Sequence, residues 1–445
     1  MIADDLMKRF TLPDSDAEIT RIIEKRPQAI ANLDSYNVAE ACKLIESAMK
    51  ETYTATAQIV RLIRGVVGVA RAYVSLTYST DDQFRAKCNT ENLVPLEPGF
   101  ATALIGLGGT GKSQLLRAIK RLLGSDGDAI DVPGLPRYPV EPVWIMTMVT
   151  GKSLSSLLEP FVGSGMTGTA ILKPAAKRAY TNGVGLAILD ESQFITATQA
   201  GHAKASEMVM KATFIGPPLF YGANFSMINK LAKRPQQERD RLLSNVLVLN
   251  PERQGSDDFC RILSDQLEVL AEMIGSENAV SAKAHAEHIH NYTYGINRKS
   301  AILLNLGARI AREKGSTILS ISHVEQAYKS DAYTSHREEV ELLRKQVIEN
   351  KMARADLWCS FAPPASSNVV VASAIIEEKE KRVAEALIRS TMTKSERDAY
   401  NTLTSAESTI ENRPAKVMRF PKADKSLEAL QAASSSLMSE FDGAG

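Results

Sequence analysis

Gly106-Leu107-Gly108-Gly109-Thr110-Gly111-Lys112-Ser113 is the stretch that decides the fold of this 445-residue chain. It fits the pattern G-x-x-x-x-G-K-[ST], in which backbone N–H groups and a helix N-terminus surround a polyphosphate. The apolar run at 101–107 predicts a buried strand that leads into the glycines. After the lysine, leucine and isoleucine recur at helical spacing, with basic residues on the other face. Strand, glycine loop and helix in this order predict a nucleoside triphosphate site.

The residues of this loop have distinct predicted roles. Lys112 is expected to neutralise the β- and γ-phosphates, and the Ser113 hydroxyl to bind Mg²⁺. The other predicted nucleotide contacts are Gly106, Gly108, Gly109, Thr110, Gly111 and Gln114. A glycine-rich turn without a ligand is the alternative, and it is disfavoured because the motif and both flanking elements agree. The sequence therefore predicts ATP and Mg²⁺ as cofactors.

An acidic motif farther along the chain agrees with the loop. The run 184–189 is apolar without polar alternation, as in a parallel strand buried on both faces, and it ends in Asp190-Glu191. Open parallel sheets bind ligands at the carboxyl ends of their strands. Asp190 is therefore predicted to hold Mg²⁺ through water, and Glu191 to orient or deprotonate the attacking water. An acidic pair that stabilises a helix N-terminus is the alternative.

Composition limits the class of protein. Charged residues make up 24% and apolar residues 44%, which is ordinary for a globular chain. The net charge is +1, so a nucleic-acid surface would have to be a local patch. The 4 cysteines lack C-x-x-C spacing, which argues against structural zinc and a disulfide framework. The acidic N-terminus is unlike a signal peptide, and no apolar run reaches the roughly 18 residues that cross a bilayer. We expect a cytoplasmic protein without membrane contact.

Strands and helices alternate through the middle of the chain, which predicts an α/β fold with a parallel five-stranded sheet. Further strands are predicted at Val143–Val149, Leu219–Ala223 and Asn245–Leu249. Beyond Pro251 helical spacing replaces the β-rich runs. The predicted organisation is a helical N-terminal extension (1–99), a nucleotide-binding α/β domain (100–252), a helical lid (253–335), and a charged helix with a partly disordered, partner-binding tail (336–445).

Four further residues are candidates for the reaction itself. Asn224 directly follows the fourth strand, where it is predicted to hold the attacking water; a turn residue is the alternative. Arg239 and Arg241 precede the fifth strand and are candidate arginine fingers that reach the γ-phosphate of a neighbouring subunit. A solvated basic helix is the alternative for both. Arg298 opens a lid helix and is predicted to fold back onto the bound phosphates.

Taken together, these motifs resemble those of the AAA+ ATPases, because they follow one another in that family's order. Within the family, the chain most resembles the TnsC/TniB-type regulators of transposons that use a separate DDE transposase. The resemblance covers roughly residues 95–335 and rests on Ala103-Leu104-Ile105-Gly106, Leu189-Asp190-Glu191-Ser192-Gln193, Gly216-Pro217-Pro218-Leu219-Phe220-Tyr221-Gly222 and the segment around Gly295 and Arg298. Where related proteins often have Thr-Pro, this chain has Ala223-Asn224.

The resemblance implies an AAA+ P-loop core that works as a nucleotide-controlled switch in DNA recombination. ATP-bound subunits would assemble on double-stranded DNA as a homo-oligomeric ring or filament, without sequence preference. A target-selection protein would recruit them, a transposase would dock on them, and ATP hydrolysis would disassemble them. The candidate DNA contacts lie between the second and third strands, where family members place pore elements, with an exposed helix face as the alternative: Lys152, Lys173, Lys177 and Arg178.

Two other functions stay open at this point. An AAA+ replication initiator or helicase loader would carry the same core motifs and would bind a helicase or an origin. A nucleotide-gated scaffold would bind ATP and hydrolyse very little of it, and the presence of Glu191 argues against that alternative.

Overall fold

A parallel sheet of five strands organises the protein, and the computed structural model confirms the predicted α/β fold with its helical lid and helical N-terminal extension. The structure describes residues 2–27, 35–90, 101–124, 129–130, 138–149, 152–190, 199–274, 280–316 and 318–361. All of them belong to one compact unit, which extends over Met1–Ser373. The tail predicted beyond 361 lies outside the described residues.

The strands all run in the same direction in the sheet. In chain order the strands are β1 (Thr102–Gly106), β2 (Ala129–Ile130), β3 (Tyr138–Pro139), β4 (Val143–Thr147), β5 (Leu186–Asp190), β6 (Leu219–Ala223) and β7 (Asn245–Leu249). The sheet has the order β4-β5-β6-β1-β7 with parallel neighbours, while β2 pairs separately with β3. Because parallel neighbours need crossover connections, helices cover both faces of the sheet. The five strands end at one edge, called here the carboxyl edge.

Helices account for most of the rest of the described chain. Those before the sheet are α1 (Ile2–Arg9), α2 (Asp16–Ile23), α3 (Val38–Glu51), α4 (Ala57–Thr77) and α5 (Asp81–Asn89). Those between the strands are α6 (Lys112–Leu123), α7 (Leu154–Val162), α8 (Leu172–Thr181), α9 (Gln199–Ala212), α10 (Phe225–Leu231) and α11 (Gln236–Leu242). Those after the sheet are α12 (Asp257–Ile274), α13 (Ala282–Thr293), α14 (Asn297–Glu313), α15 (Ile321–Lys329) and α16 (Thr334–Glu349).

Alternate residues of the strands build two separate apolar layers, one on each face of the sheet. On one face, Leu104 of β1 and Ile188 of β5 are buried with Ile63 of α4 and with α1, α2 and α6. On the other face, Ile105 and Leu189 are buried with residues of α7 to α10. Burial of each such side chain contributes about 1.5–3 kcal/mol, so both layers hold the sheet in place.

The lid has an apolar core of its own, and one N-terminal helix is part of it. Phe259 of α12 and Leu304 of α14 are fully buried together with Ile45 and Met49 of α3. The α3 helix therefore packs with the lid, whereas α1, α2 and α4 pack on the sheet. The two parts of the N-terminal region meet at Lys25 and Tyr53, whose backbone groups exchange hydrogen bonds of 3.0 and 2.8 Å.

No described helix combines the length and the apolar content that spanning a bilayer requires.

Two glycines test the packing of α1 and α4 on the sheet. A Cβ on Gly185, just before β5, would lie 2.3 Å from Phe10 Cζ, whereas a Cβ on Gly68 of α4 would meet nothing within 4 Å. We expect Gly185→Ala to lower the free energy of unfolding by about 1–3 kcal/mol through overpacking. Gly68→Ala should raise it by about 0.5–1 kcal/mol, because alanine favours a helix interior. Urea unfolding measures both; equal stability of the two variants would contradict this packing.

Candidate nucleotide-binding site

The glycine loop connects β1 to α6 at the carboxyl edge, as predicted. Gly109 and Gly111 have φ angles of +88° and +104°, which residues with a Cβ rarely adopt. The Thr110 hydroxyl donates to the Leu107 carbonyl at 3.0 Å and is buried. The loop thus wraps around the N-terminus of a twelve-residue helix, where free N–H groups and the helix dipole attract anions.

The lysine of the motif lies over this loop. Its Nζ donates to the carbonyl groups of Gly106 and Leu107 at 2.8 and 2.9 Å. An ammonium group held at the mouth of the loop is in place to contact phosphate oxygens that the loop backbone binds. The structure therefore brings Lys112 and the loop N–H groups together.

The predicted magnesium ligands also meet. The Ser113 hydroxyl donates to Asp190 Oδ1 at 3.2 Å, and Asp190 is 7% exposed at the end of β5. A hydroxyl next to a carboxylate beside a phosphate loop fits Mg²⁺, which prefers oxygen ligands and is completed by water and phosphate. Among the described residues, no three His, Cys, Asp or Glu side chains group as another metal site. Glu191, the predicted general base, lies outside the described residues.

Gly222 shapes this corner, a role that was not predicted from the sequence. A Cβ on Gly222 of β6 would lie 3.2 Å from Asp190 Oδ1, tighter than an ordinary contact. The neighbouring strand therefore leaves room for the carboxylate. The available signal was a glycine inside an apolar strand, which often marks close approach of another group.

Asn224 lies at the end of β6, between the strand of Asp190 and the strand of the glycine loop. Its Oδ1 caps α10 by accepting from the Met227 amide and the Ser226 hydroxyl, both at 3.0 Å. This is the local role expected of a residue that ends a strand and begins a helix. Its position fits the predicted contact with the attacking water, which stays a prediction.

The lid touches the phosphate loop through Arg298. Its backbone N–H donates to the Gly109 carbonyl at 3.1 Å. A Cβ on Gly109 would be 2.7 Å from Arg298 Cβ and 3.2 Å from Ile296 Cγ2. The N-terminus of α14 therefore lies directly on the loop, and the predicted arginine is at the site.

The other predicted arginines lie at the opposite edge of the sheet. Arg239 and Arg241 belong to α11, which precedes β7, and the Arg241 carbonyl accepts from the Ala101 amide at 3.2 Å, just before β1. A five-residue strand separates this edge from the loop, or roughly 16 Å at ~3.3 Å per residue. The structure does not bring these arginines to the site of their own subunit.

The predicted DNA contacts are spread along α8 and the loop before α7. Lys152, Lys173 and Arg178 are exposed. Lys177 Nζ donates to the Thr90 carbonyl at 3.1 Å, which ties α8 to the chain after α5. The helix runs toward the start of β5, so Arg178 lies nearer the edge opposite the loop than Lys173 does. Their role stays a prediction, as does that of Gln114, whose side chain donates to the Lys50 carbonyl of α3 at 2.9 Å.

A partly buried carboxylate, Glu252, lies where the sheet connects to the lid. The Glu252 amide donates to the Gly295 carbonyl at 3.1 Å, and its own carbonyl is 3.0 Å from His290 Nε2. Burial raises the pKa of the Glu252 carboxyl to about 7, and the nearby Asp258 charge adds to this, while a hydrogen bond with Thr56 opposes it. This connection is therefore sensitive to pH near neutrality.

No family model matches the chain, and no curated protein does. Among solved structures, the chain is similar to the Aeropyrum pernix ORC2 protein in its ADP form, with 16% identity over 64% of this chain and 71% of that chain (TM-score 0.39). It is also similar to the Thermotoga maritima RuvB Holliday junction branch migration motor, with 13% identity over 61% and 76% (TM-score 0.33). The A. pernix ORC1 protein in complex with DNA gives 16% identity over 66% of each chain (TM-score 0.37). Similarity at this level carries no conclusion about function.

Two loop glycines with positive φ, one against the lid and one in open space, separate lid contact from loop conformation. We expect Gly109→Ala to lower the free energy of unfolding of the nucleotide-free protein by about 1–3 kcal/mol, because it introduces strain and a clash with Arg298. Gly111 has a φ of +104°, and a Cβ there meets nothing within 4 Å, so Gly111→Ala, which is strained but does not clash, is the matched control. Thermal unfolding without nucleotide measures both. Equal melting temperatures for the two variants would argue that the lid does not rest on the loop.

Glu252 predicts a pH dependence of stability. Its pKa rises from an ordinary value of 4.5 to about 7 on folding, so between these values the folded state binds the extra proton. Stability supplied by this group is then complete below about pH 4.5 and is lost as the pH rises toward 7. Glu252→Gln should therefore gain stability relative to the wild type across that window. Urea unfolding at several pH values tests this, with Glu287→Gln on α13 as the control; a constant difference between Glu252→Gln and wild type would contradict it.

Proposed function

We propose that the chain is a Mg²⁺-dependent ATPase of the AAA+ class. The observation that carries the proposal is the hydrogen bond of 3.2 Å between Ser113 and Asp190, next to a loop that holds Lys112. Two motifs far apart in sequence thereby meet at the carboxyl edge, with the hydroxyl, carboxylate and ammonium groups that a nucleotide with its metal requires. The lid closes on the same loop through Arg298.

Each group has a definite task in this proposal. The N–H groups of the glycine loop and Lys112 bind the β- and γ-phosphates, and Ser113 with Asp190 holds Mg²⁺. When bound, the metal ion neutralises phosphate charge. Glu191 orients or deprotonates the attacking water, Asn224 holds that water, and Arg298 stabilises charge on the phosphates.

Hydrolysis needs a second subunit if Arg239 or Arg241 is the arginine finger. Both lie at the edge opposite the loop, which a strand of five residues separates from the phosphates. An arginine on that edge reaches a γ-phosphate only when another copy of the chain places it there. The proposal therefore includes a homo-oligomer, ring or filament, whose assembly depends on the bound nucleotide.

The finer proposal concerns the biological role. Because the motifs resemble those of TnsC/TniB-type regulators, we propose that ATP-bound subunits assemble on double-stranded DNA in the cytoplasm. There they link a target-selection protein to the transposase, and hydrolysis releases them. Lys152, Lys173, Lys177 and Arg178 would contact phosphates of the backbone without reading sequence. The sequence resemblance and the exposure of Lys152, Lys173 and Arg178 support this proposal.

Electron microscopy of the protein with random-sequence duplex DNA tests the switch. We expect rings or filaments on DNA with a non-hydrolysable ATP analogue, and none with ADP or without nucleotide. Lys112→Ala should abolish assembly because it removes the phosphate contact; Lys120→Ala, on the exposed face of the same helix, is the matched control. Monomers that ignore DNA in every nucleotide state would refute the DNA role.

A substitution at Glu191 separates the enzyme from a scaffold. Glu191→Gln should keep nucleotide binding and lower ATP turnover by about 10²–10⁴-fold, as expected for loss of a general base. Turnover by the wild type equal to that of Glu191→Gln would refute the catalytic assignment. Nucleotide binding by a wild-type protein without turnover would identify the scaffold.

A further inference from the structure

The chain after the lid returns to the sheet. Helix α16 ends at Glu349, and the next residue, Asn350, has a φ of +45° that turns the chain. The arm 351–361 follows. Leu343 of α16 is buried in the apolar layer on one face of the sheet, and Leu357 and Cys359 of the arm pack against the same layer. Residues 334–361, called here the strap, therefore extend from the lid to the nucleotide-binding core.

At the lid, the strap is attached next to Arg298. The ammonium of Lys299 forms an ion pair of 2.6 Å with Glu339 of α16 and donates to the His336 carbonyl at 3.3 Å. The Lys299 side chain is only 5% exposed. A buried ammonium needs these partners, because an unpaired charge at such a site is strongly unfavourable. The residue after Arg298 is thus fixed by the strap rather than by the lid alone.

The arm owes its shape to one buried amide. Gln346 of α16 is 1% exposed, and its Oε1 accepts from the amides of Ala353 and Arg354 at 2.9 and 2.8 Å. Its Nε2 donates to the Leu357 carbonyl at 3.3 Å. These bonds satisfy backbone groups that would otherwise need water, so the arm has a defined course without helix or strand.

At the core, the Asn229 side chain of α10 forms hydrogen bonds with the arm; this contact is called here the clasp. Its Nδ2 donates to the carbonyl groups of Ala355 and Trp358 at 2.9 and 3.4 Å, and its Oδ1 accepts from the Ser360 hydroxyl at 2.8 Å. The helix that carries Asn229 begins directly after Asn224, at the carboxyl edge. The far end of the strap is thereby attached to the element that leaves the strand between Asp190 and the glycine loop.

A charge links the two ends. Glu339 forms ion pairs not only with Lys299 but also with Arg354 of the arm, with 3.7 Å between Arg354 Nη2 and Glu339 Oε1. Arg354 in turn pairs with Asp356 at 2.5 Å. A shift of the lid that moves Lys299 away from the core would disturb Glu339, and with it the arm at Asn229.

We propose that the strap holds Arg298 against the phosphate loop, with Lys299 and Asn229 as positioning residues at its lid and core ends. The cleft is then closed by two connections, the α14 contact with the loop and the strap. Release of the arm from α10 would free the lid and lower the affinity for nucleotide. The nucleotide part rests on the proposed function, whereas the position of Arg298 does not.

Hydrogen exchange in the nucleotide-free protein tests the position of Arg298 directly. Its amide donates to Gly109, so it is protected while the lid rests on the loop. Asn229→Ala removes the clasp and should speed exchange of this amide about tenfold. Asn245→Ala is the control. It removes an exposed side chain that donates a hydrogen bond to the Thr102 hydroxyl, and it should leave the exchange of the Arg298 amide unchanged. Faster exchange of the arm without any change at Arg298 would overturn the proposal.

The lid end is tested by conservative rescue. Lys299→Met removes the ion pair with Glu339 and should speed the same exchange. Lys299→Arg keeps a cation at this position and should return the exchange to the wild-type rate. Binding of a fluorescent ATP analogue is then expected to weaken about tenfold in Asn229→Ala. If the wild type binds no analogue, the ATPase proposal fails while the exchange result stands. If the wild type binds it and Asn229→Ala binds equally well, the strap does not control the site.

Discussion

One backbone hydrogen bond, from the Arg298 amide to the Gly109 carbonyl, brings the lid into direct contact with the glycine loop. It forms only because position 109 lacks a side chain: a Cβ there would lie 2.7 Å from Arg298 Cβ. Glycine also permits the φ of +88° that the loop needs. The glycine that gives the loop this conformation is thus also the residue on which the lid rests, so a substitution here affects both the loop and the lid.

The N-terminal region joins the two sides of this cleft instead of standing apart from them. Helix α3 is part of the lid core, while Gln114 of the phosphate-loop helix donates to its Lys50 carbonyl. Nearby, Arg26 pairs with Asp265 and Glu268 of α12 at 2.7 and 2.6 Å. These exposed pairs contribute little stability by themselves. Together with the Gln114 contact, they show that the chain before α4 touches both sides of the cleft.

Elements that form because of their own neighbouring residues in the sequence were predicted correctly. The bounds of β6 and β7 agree with prediction, because apolar and β-branched runs buried between helices are read directly from the residues. The contact of Ser113 with Asp190 followed from motif spacing. The arm was missed because amide side chains fix it without periodicity, and the place of α3 in the lid core was not predicted because an apolar helix face does not identify its partner. Strand β4 ends at Thr147 rather than at the predicted Val149, which is half-exposed and lies beyond the end of the strand.

The sheet places the residues proposed to bind phosphate, metal and water at one edge and the candidate arginine fingers at the other. Parallel strands bring every strand end to one edge, so the loop, Asp190 and Asn224 meet there. The same geometry puts residues that precede a strand, including Arg239 and Arg241, at the other edge. No rearrangement of side chains spans a strand of five residues. If either arginine acts on a γ-phosphate, the phosphate belongs to another subunit, and hydrolysis is then tied to assembly by the fold itself.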